Sequence, residues 1–375
     1  MKITLNKNNF EIVLNNFQSF LDKKDSSQIT SHIYLETLDN KLLLKATDYE
    51  ISIQSKIDII QKIEDGIATL EGKKILSIIK PLDDGEITLE TKEGQILIKQ
   101  KNKYNKEDKF ELPTFNATEF NNATKFPEIN ESDTQINLNP VDFIESIKKV
   151  AIATDATRAD TLRVELTGIL LDVKDYHCNF VGTDTRRLAI IRQNTQSIGS
   201  QFSIIIPRRA IMEISKLFYD EFEIYINKRL ESDPTMLFIK SQNYTFSTKL
   251  ISGKYPDYEK IIPKEFKIQS KLPKDDVIKA IKKVNSLSTN IKGTLDSSGL
   301  IFETINSESS ESATTPIDIA LNIAEPITLG MNSRYVLDFL GFVGSNEFEI
   351  LINDSNMPFM LKDDKYSTII MPVLC

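Results

Sequence analysis

The feature that most constrains this 375-residue chain is a threefold internal repeat. Lys2 opens KITLNKNNFEIVLNNFQSFLDKK, Gln135 opens QINLNPVDFIESIKKVAIATD and Lys267 opens KIQSKLPKDDVIKAIKKVNSLST. Each segment reads as a short alternating strand, a polar residue or two, and a helix with apolar residues at helical spacing. Phe10, Leu14 and Phe17 correspond to Phe143, Ile147 and Val150, and to Val277, Ile281 and Val284. Downstream, each repeat continues with alternating strands, a second helix (72–81, 207–218 and 332–342) and two further strands, GEITLE…QILIKQ, FEIYIN…MLFIKS and FEILIN…PFMLKD. Pro207 suits the first turn of its helix and Asn332 suits a cap. A period of roughly 130 residues is too long for a solenoid and implies a triplicated domain. The expected domains are 1–125, 126–254 and 255–375. Residues 114–134, polar and rich in Asn and Thr, read as a linker; 253–266, with Gly, two Pro and aromatics, read as an ordered connection.

The residue inventory leaves little room for catalysis. His32 and His177 are the only histidines, with no CxxC or HxxxH pair beside them, so a metal site lacks ligands at workable spacing. No GxSxG elbow is present. Gly66 to Lys74, GIATLEGKK, resembles a phosphate loop, but five residues separate its glycines instead of four. Lys74 also stands where Ser or Thr belongs. It reads as a strand running into a helix start. Two cysteines, Cys178 and Cys375, do not make a disulfide framework. The first residues lack a signal peptide's apolar stretch, and no window approaches ~18 consecutive apolar residues. The expectation is a soluble, cytoplasmic protein without catalytic residues, metal or cofactor.

Charge adds a direction. The chain carries −8 overall, yet segments 7–24, 72–80, 140–158, 207–218, 274–283 and 332–340 together carry +8, leaving −16 elsewhere. If these helices share one side, that side is cationic and suited to nucleic acid despite the acidic total. Lysine is also a good former of solvated helices, so charge alone leaves both readings open.

The pieces LKATDYEISI (44–53), VGTDTRRLA (181–189), IIPRRAIMEISKL (205–217), KLISGKYPDYEKIIP (249–263), NSRYVLDFL (332–340) and YSTIIMPVLC (366–375) carry a resemblance. In order, spacing and placement on the repeat, the chain resembles the bacterial DNA sliding clamps, the beta subunits of DNA polymerase III, over nearly its full length. The resemblance implies an α+β clamp fold of three similar domains, each a duplicated βαβββ unit. Two chains would join head to tail in a ring, with helices lining the hole and sheets outside. It implies no enzymatic activity. The partners would be double-stranded DNA without sequence preference, the replicative polymerase, the clamp loader and other proteins carrying a short clamp-binding peptide.

By the same resemblance the peptide pocket comprises Arg163, Leu166, Thr183, Thr185, Arg186, Arg187, Leu188, Pro256, Lys260 and Ile261. Asn332, Tyr335, Asn356, Pro358, Ile369, Ile370, Met371, Pro372, Val373 and Leu374 complete it. Many relatives have Gly-His at Thr185-Arg186, Arg near Lys260 and Met-Arg-Leu at the position of Val373-Leu374-Cys375, so the rim should differ in shape. Lys24, Arg208, Arg209 and Lys216 match basic positions of the family for DNA contact, while Lys149 and Lys283 rest on the charge argument. At the ring joint, Phe110 and Leu112 should face Leu287 and the acidic Glu303, Glu308 and Glu311, with Lys73 or Lys74 supplying opposite charge. A repeat-built interaction scaffold without DNA is the other reading.

Overall fold

Period-two alternation sets the strands and apolar 3.6-residue spacing sets the helices. The computed structural model describes all residues except 23, 24, 26, 27, 116, 157–162, 196–200, 228–232, 306–310 and 375. Its helices are α1 (Lys7–Phe17), α2 (Gly72–Ile79), α3 (Ala117–Thr124), α4 (Pro140–Ala151), α5 (Arg208–Leu217), α6 (Lys274–Asn285) and α7 (Ser333–Leu340). Helices α1, α4 and α6 begin the three repeats, and α2, α5 and α7 follow as their second helices. The equivalent residues Phe10, Phe143 and Val277 are all buried, as are Leu14, Ile147 and Ile281.

Three local expectations change. Helix α1 stops at Phe17, where a tight turn, Gln18–Phe20, tucks in the buried Phe20. Pro207 is not in a helix: it closes strand Phe202–Pro207 opposite Gly168, on the edge of its sheet, where a missing N–H is tolerated. The polar stretch 114–134 is more than a linker. It contains α3, whose Ala117, Phe120 and Thr124 share a buried face, with Phe120 stacked on Tyr34 at a centroid distance of 5.3 Å. The segment GIATLEGKK is strand Ile67–Glu71 leading into α2.

The chain is arranged in two compact units, Met1–Pro140 with Met212–Leu250, and Val141–Ile211 with Ile251–Cys375. Their phase differs from that of the repeats because sheets run across repeat boundaries. In the first unit, strand Ile51–Glu64 pairs with Lys2–Asn6 of its own repeat and with Tyr244–Lys249 of the next. The result is a 12-stranded sheet that ends at strand Glu107–Pro113. The second unit holds an 8-stranded sheet, in which Arg187–Asn194 of the central repeat pairs with Tyr366–Ile370 of the last. It also holds a 4-stranded sheet that ends at Thr314–Asp318. A Cβ at Gly182 would collide with the Val150 carbonyl oxygen, so glycine lets α4 lie directly on this unit's large sheet.

Candidate partner pocket, cationic helices and sheet edges

All the expected peptide-pocket residues fall in the second unit. Leu188 sits directly opposite Ile369 across the strand pair Arg187–Asn194 and Tyr366–Ile370. Adjacent positions on a strand point to opposite faces, so Leu188 and Ile369 share one face with Val181 and Met360. Leu170, Ile205, Tyr255 and Tyr258 complete this apolar floor. The same alternation removes Ile370, which is fully buried on the opposite face beside Arg187 and Phe359. Beyond the strand, Met371 is 44 % exposed and its N–H donates to the Arg186 carbonyl at 2.9 Å. Val373 N–H donates to Gly330 O at 3.0 Å, anchoring the tail, while Leu374 stands 89 % exposed. Asn356, Val373 and Leu374 line a cavity of about 490 Å³ that also includes Thr328 and Asn353. Pro358 and Pro372 are half-buried.

The turn that carries the two arginines is built by Asp184. Its Oδ1 accepts from the N–H groups of Arg186 and Arg187, each at 3.0 Å. Thr185 takes φ 73° at the tip, with its N–H donating to Thr183 Oγ1 at 3.1 Å. The two arginines then separate in role. Arg186 is exposed. Arg187 is largely enclosed as a clip: its guanidinium pairs with Asp184 at 3.1 Å and Asp338 at 2.6 Å, donates to Ile152 O, and stacks 4.3 Å from the Tyr335 ring centroid. It therefore braces α7 and the end of α4 and is not a rim cation. Asn332 is likewise engaged, with its side chain capping α7 by accepting from Arg334 N–H at 3.0 Å.

The remaining expected residues lie as follows. Leu166 is buried, and Arg163 pairs with Glu165 at 3.1 Å. Pro256 is half-buried, Ile261 is 41 % exposed, and Lys260 reaches Asp257 at 2.7 Å. The sequence reading missed the two tyrosines that fasten this connection. Tyr255 OH donates to Val181 O at 3.3 Å, and Tyr258 OH donates to Asp172 Oδ2 at 2.7 Å. Burial alone would raise the Asp172 carboxyl, but hydrogen bonds from Tyr258, Ser203 and Lys174 hold it below the ordinary carboxylate range. Aromatics spaced three apart in a Pro- and Gly-bearing connection were the available signal.

The cationic residues divide. Lys283 on α6 is exposed, and Lys216 on α5 is mostly exposed while contacting Glu213 at 3.2 Å. Arg208 is half-buried and donates to Thr154 O at 3.3 Å; Arg209 is also half-buried. Lys149 fits the expectation poorly. Its side chain is 15 % exposed, ion-paired with Glu145, and lies over the Tyr366 ring at 5.6 Å. Its neighbour Lys148 is the exposed one. Lys24 lies outside the described residues.

At the sheet edges, Phe110 and Leu112 on strand Glu107–Pro113 are half-buried, opposite Ile98 and Ile96. Leu287 follows α6 and is 47 % exposed. Glu303 is already matched within its own unit by Lys292 at 3.3 Å. Glu311 is exposed, and Glu308 lies outside the described residues. Lys73 and Lys74 are exposed on α2, with Lys74 paired to Glu71. The sequence reading missed strand Thr314–Asp318, an edge of the 4-stranded sheet.

Comparison with known proteins agrees with this layout. Family models of the DNA polymerase III beta subunit match in series: the N-terminal domain over residues 1–124, the central domain over 137–257 and the C-terminal domain over 259–374. A beta sliding clamp of Helicobacter pylori is 38% identical over 390 residues, covering 100% of both chains. One from Vibrio cholerae is 23% identical, again covering 100% of both. The Helicobacter pylori beta clamp bound to a DNA ligase peptide superposes with a TM-score of 0.89 at 38% identity, and covers 100% of both chains. The Pseudomonas aeruginosa beta subunit, at 23% identity and TM-score 0.87 over 100% of both chains, shares the fold. The chain belongs to the DNA polymerase III beta subunit family, the beta sliding clamps.

Proposed function

We propose that the surfaces described above are the working parts of a DNA-encircling tether. Family membership makes the chain a non-catalytic processivity factor of the replicative polymerase. In our reading, domains 1–125, 126–254 and 255–375 form half of a ring. The free edges Glu107–Pro113 and Thr314–Asp318 meet their counterparts in a second copy, which also removes two exposed strand edges. Lys24, Arg208, Arg209, Lys216 and Lys283 would face the duplex and attract phosphates without reading bases. Such attraction must stay weak, because each phosphate neutralised deepens salt-dependent binding and would hinder sliding. Tethering raises the effective concentration of the enzyme at the primer end without any chemical step. Acting on the chromosome places the protein in the cytoplasm.

Partner proteins would insert apolar anchors between Leu188, Ile369 and Met371, with Arg163, Arg186 and Lys260 at the rim. The observation that carries this reading is the Leu188–Ile369 pair, which joins the central and last repeats in one floor beside an exposed, adaptable Met371. A DNA ligase peptide binds the Helicobacter pylori relative; we extend peptide binding to this chain. The test of the whole reading is topological. Protein loaded by a clamp loader onto nicked circular DNA should be retained, and should be lost once the circle is linearised. Equal retention on both forms contradicts encirclement.

A further inference from the structure

The geometry points to a second anchoring groove, beyond the peptide pocket, that takes an acidic stretch of the partner chain. This inference rests on the pocket reading above. Leu188, Ile190 and Arg192 lie at alternate positions of one strand and so share a face. Across the register, Ile190 is opposite Ser367, and Lys365 follows two positions on. Four residues of strand advance roughly 13 Å, so Arg192 lies that far from Leu188 along the same face. There a groove of about 570 Å³ opens between the sheet and the 258–264 connection. Its floor is apolar at Ile190 and Ile262, both packed on the core that underlies the pocket.

Four cations line this groove: Arg192, Lys264, Lys362 and Lys365. The Lys365 ammonium donates to the neutral Gln193 at 3.3 Å, and among the described residues none of the four takes part in an ion pair. The carboxylates facing them are Glu259, Asp364 and Glu349, the last directly opposite Lys362 on the neighbouring strand, which leaves an excess of one positive charge. In a chain of net charge −8, four unpaired cations around an apolar trough are a local inversion of sign. A polypeptide with Asp or Glu beside its apolar anchors satisfies both features. A nucleic-acid backbone fits less well, because it would leave the isoleucines unused. The occupant is therefore the acidic flank of a clamp-binding peptide, whose anchors sit at Leu188 and Met371.

The probe is the DNA ligase peptide carried by the Helicobacter pylori structure, used alone and with five alternating Asp and Glu residues added at either end. Fluorescence anisotropy at low salt should show one extended form binding about five- to tenfold tighter than the unextended peptide. The gain should vanish near 0.5 M salt, where exposed charges are screened. R192E/K365E should abolish the gain and leave the unextended peptide's Kd unchanged. K264E/K362E, which spares strand Arg187–Asn194, should do the same, and Met371→Lys should weaken every form. No gain with either extension, or a gain that survives both double variants, overturns the inference. So does loss of oligo(dT) binding in those variants with the extended peptides unaffected, which would make the groove a nucleic-acid site. Failure of the unextended peptide to bind the unmodified protein would instead overturn the pocket reading, and this inference with it.

Discussion

Two adjacent arginines show how little residue type says about role. Arg186 and Arg187 share a turn, yet one is exposed and the other is enclosed by Asp184, Asp338, Ile152 O and the Tyr335 ring. Removing the centre of a half-buried, multiply bonded charge cluster costs more than removing a solvated charge. Arg187→Ala should therefore destabilise the protein by about 2 kcal/mol, between the values for exposed and fully buried pairs, read as a lower denaturant midpoint. Arg186→Ala should leave stability within about 0.5 kcal/mol. Lysine at 187 should not rescue, since an ammonium cannot supply the planar fork or the stacking. Similar losses for both alanine variants would show that the clip contributes nothing special. Cys178 is an inert case: burial pushes its thiol up to about 12, so it stays protonated and unreactive.

At the scale of elements, the connection bearing Tyr255 and Tyr258 is held to its sheet by polar links whose strength depends on pH. The Asp172 carboxyl is depressed in the folded protein by Tyr258, Ser203 and Lys174, despite a burial penalty that works the other way. A depressed carboxylate stabilises the fold fully above its unfolded value of about 3.9, and this contribution is lost as pH falls through the lower folded value. Asp172→Asn should therefore lower stability at pH 7 and flatten the acid limb of the stability curve. Urea midpoints from pH 2 to 7 that fall in parallel for both proteins would rule out the linkage. The free edge Glu107–Pro113 belongs to this scale too. Leu112→Asp places a charge on a half-buried edge position, and sedimentation should show monomer replacing dimer while circular dichroism keeps the native strand signal. A persistent dimer would move the joint elsewhere.

For the whole molecule, interlocking with DNA predicts an unusual salt response. Ordinary phosphate binding collapses by orders of magnitude over a few-fold rise in salt. A closed ring on a circle should instead stay associated at about 0.5 M salt, because release requires opening and not the loss of ion pairs. K216E/K283E should reduce loading at low salt without accelerating loss from circles already loaded. Faster loss would mean that electrostatics, and not topology, retains the protein.

The sequence by itself determined the triplication and the position of the repeats' main helices and strands, which follow from periodicity that local backbone geometry enforces. It also carried the family resemblance, because the quoted segments keep their order and spacing. Only the tertiary structure decided that Ile370 faces away, that Arg187 is spent on bracing, and that Lys149 is covered by Glu145 and Tyr366. It alone revealed α3 inside a polar stretch, the sheet edge at Thr314–Asp318, and sheets that cross the repeat boundaries. These depend on which long-range partners meet a side chain, and charge and burial of that kind leave no local period to read.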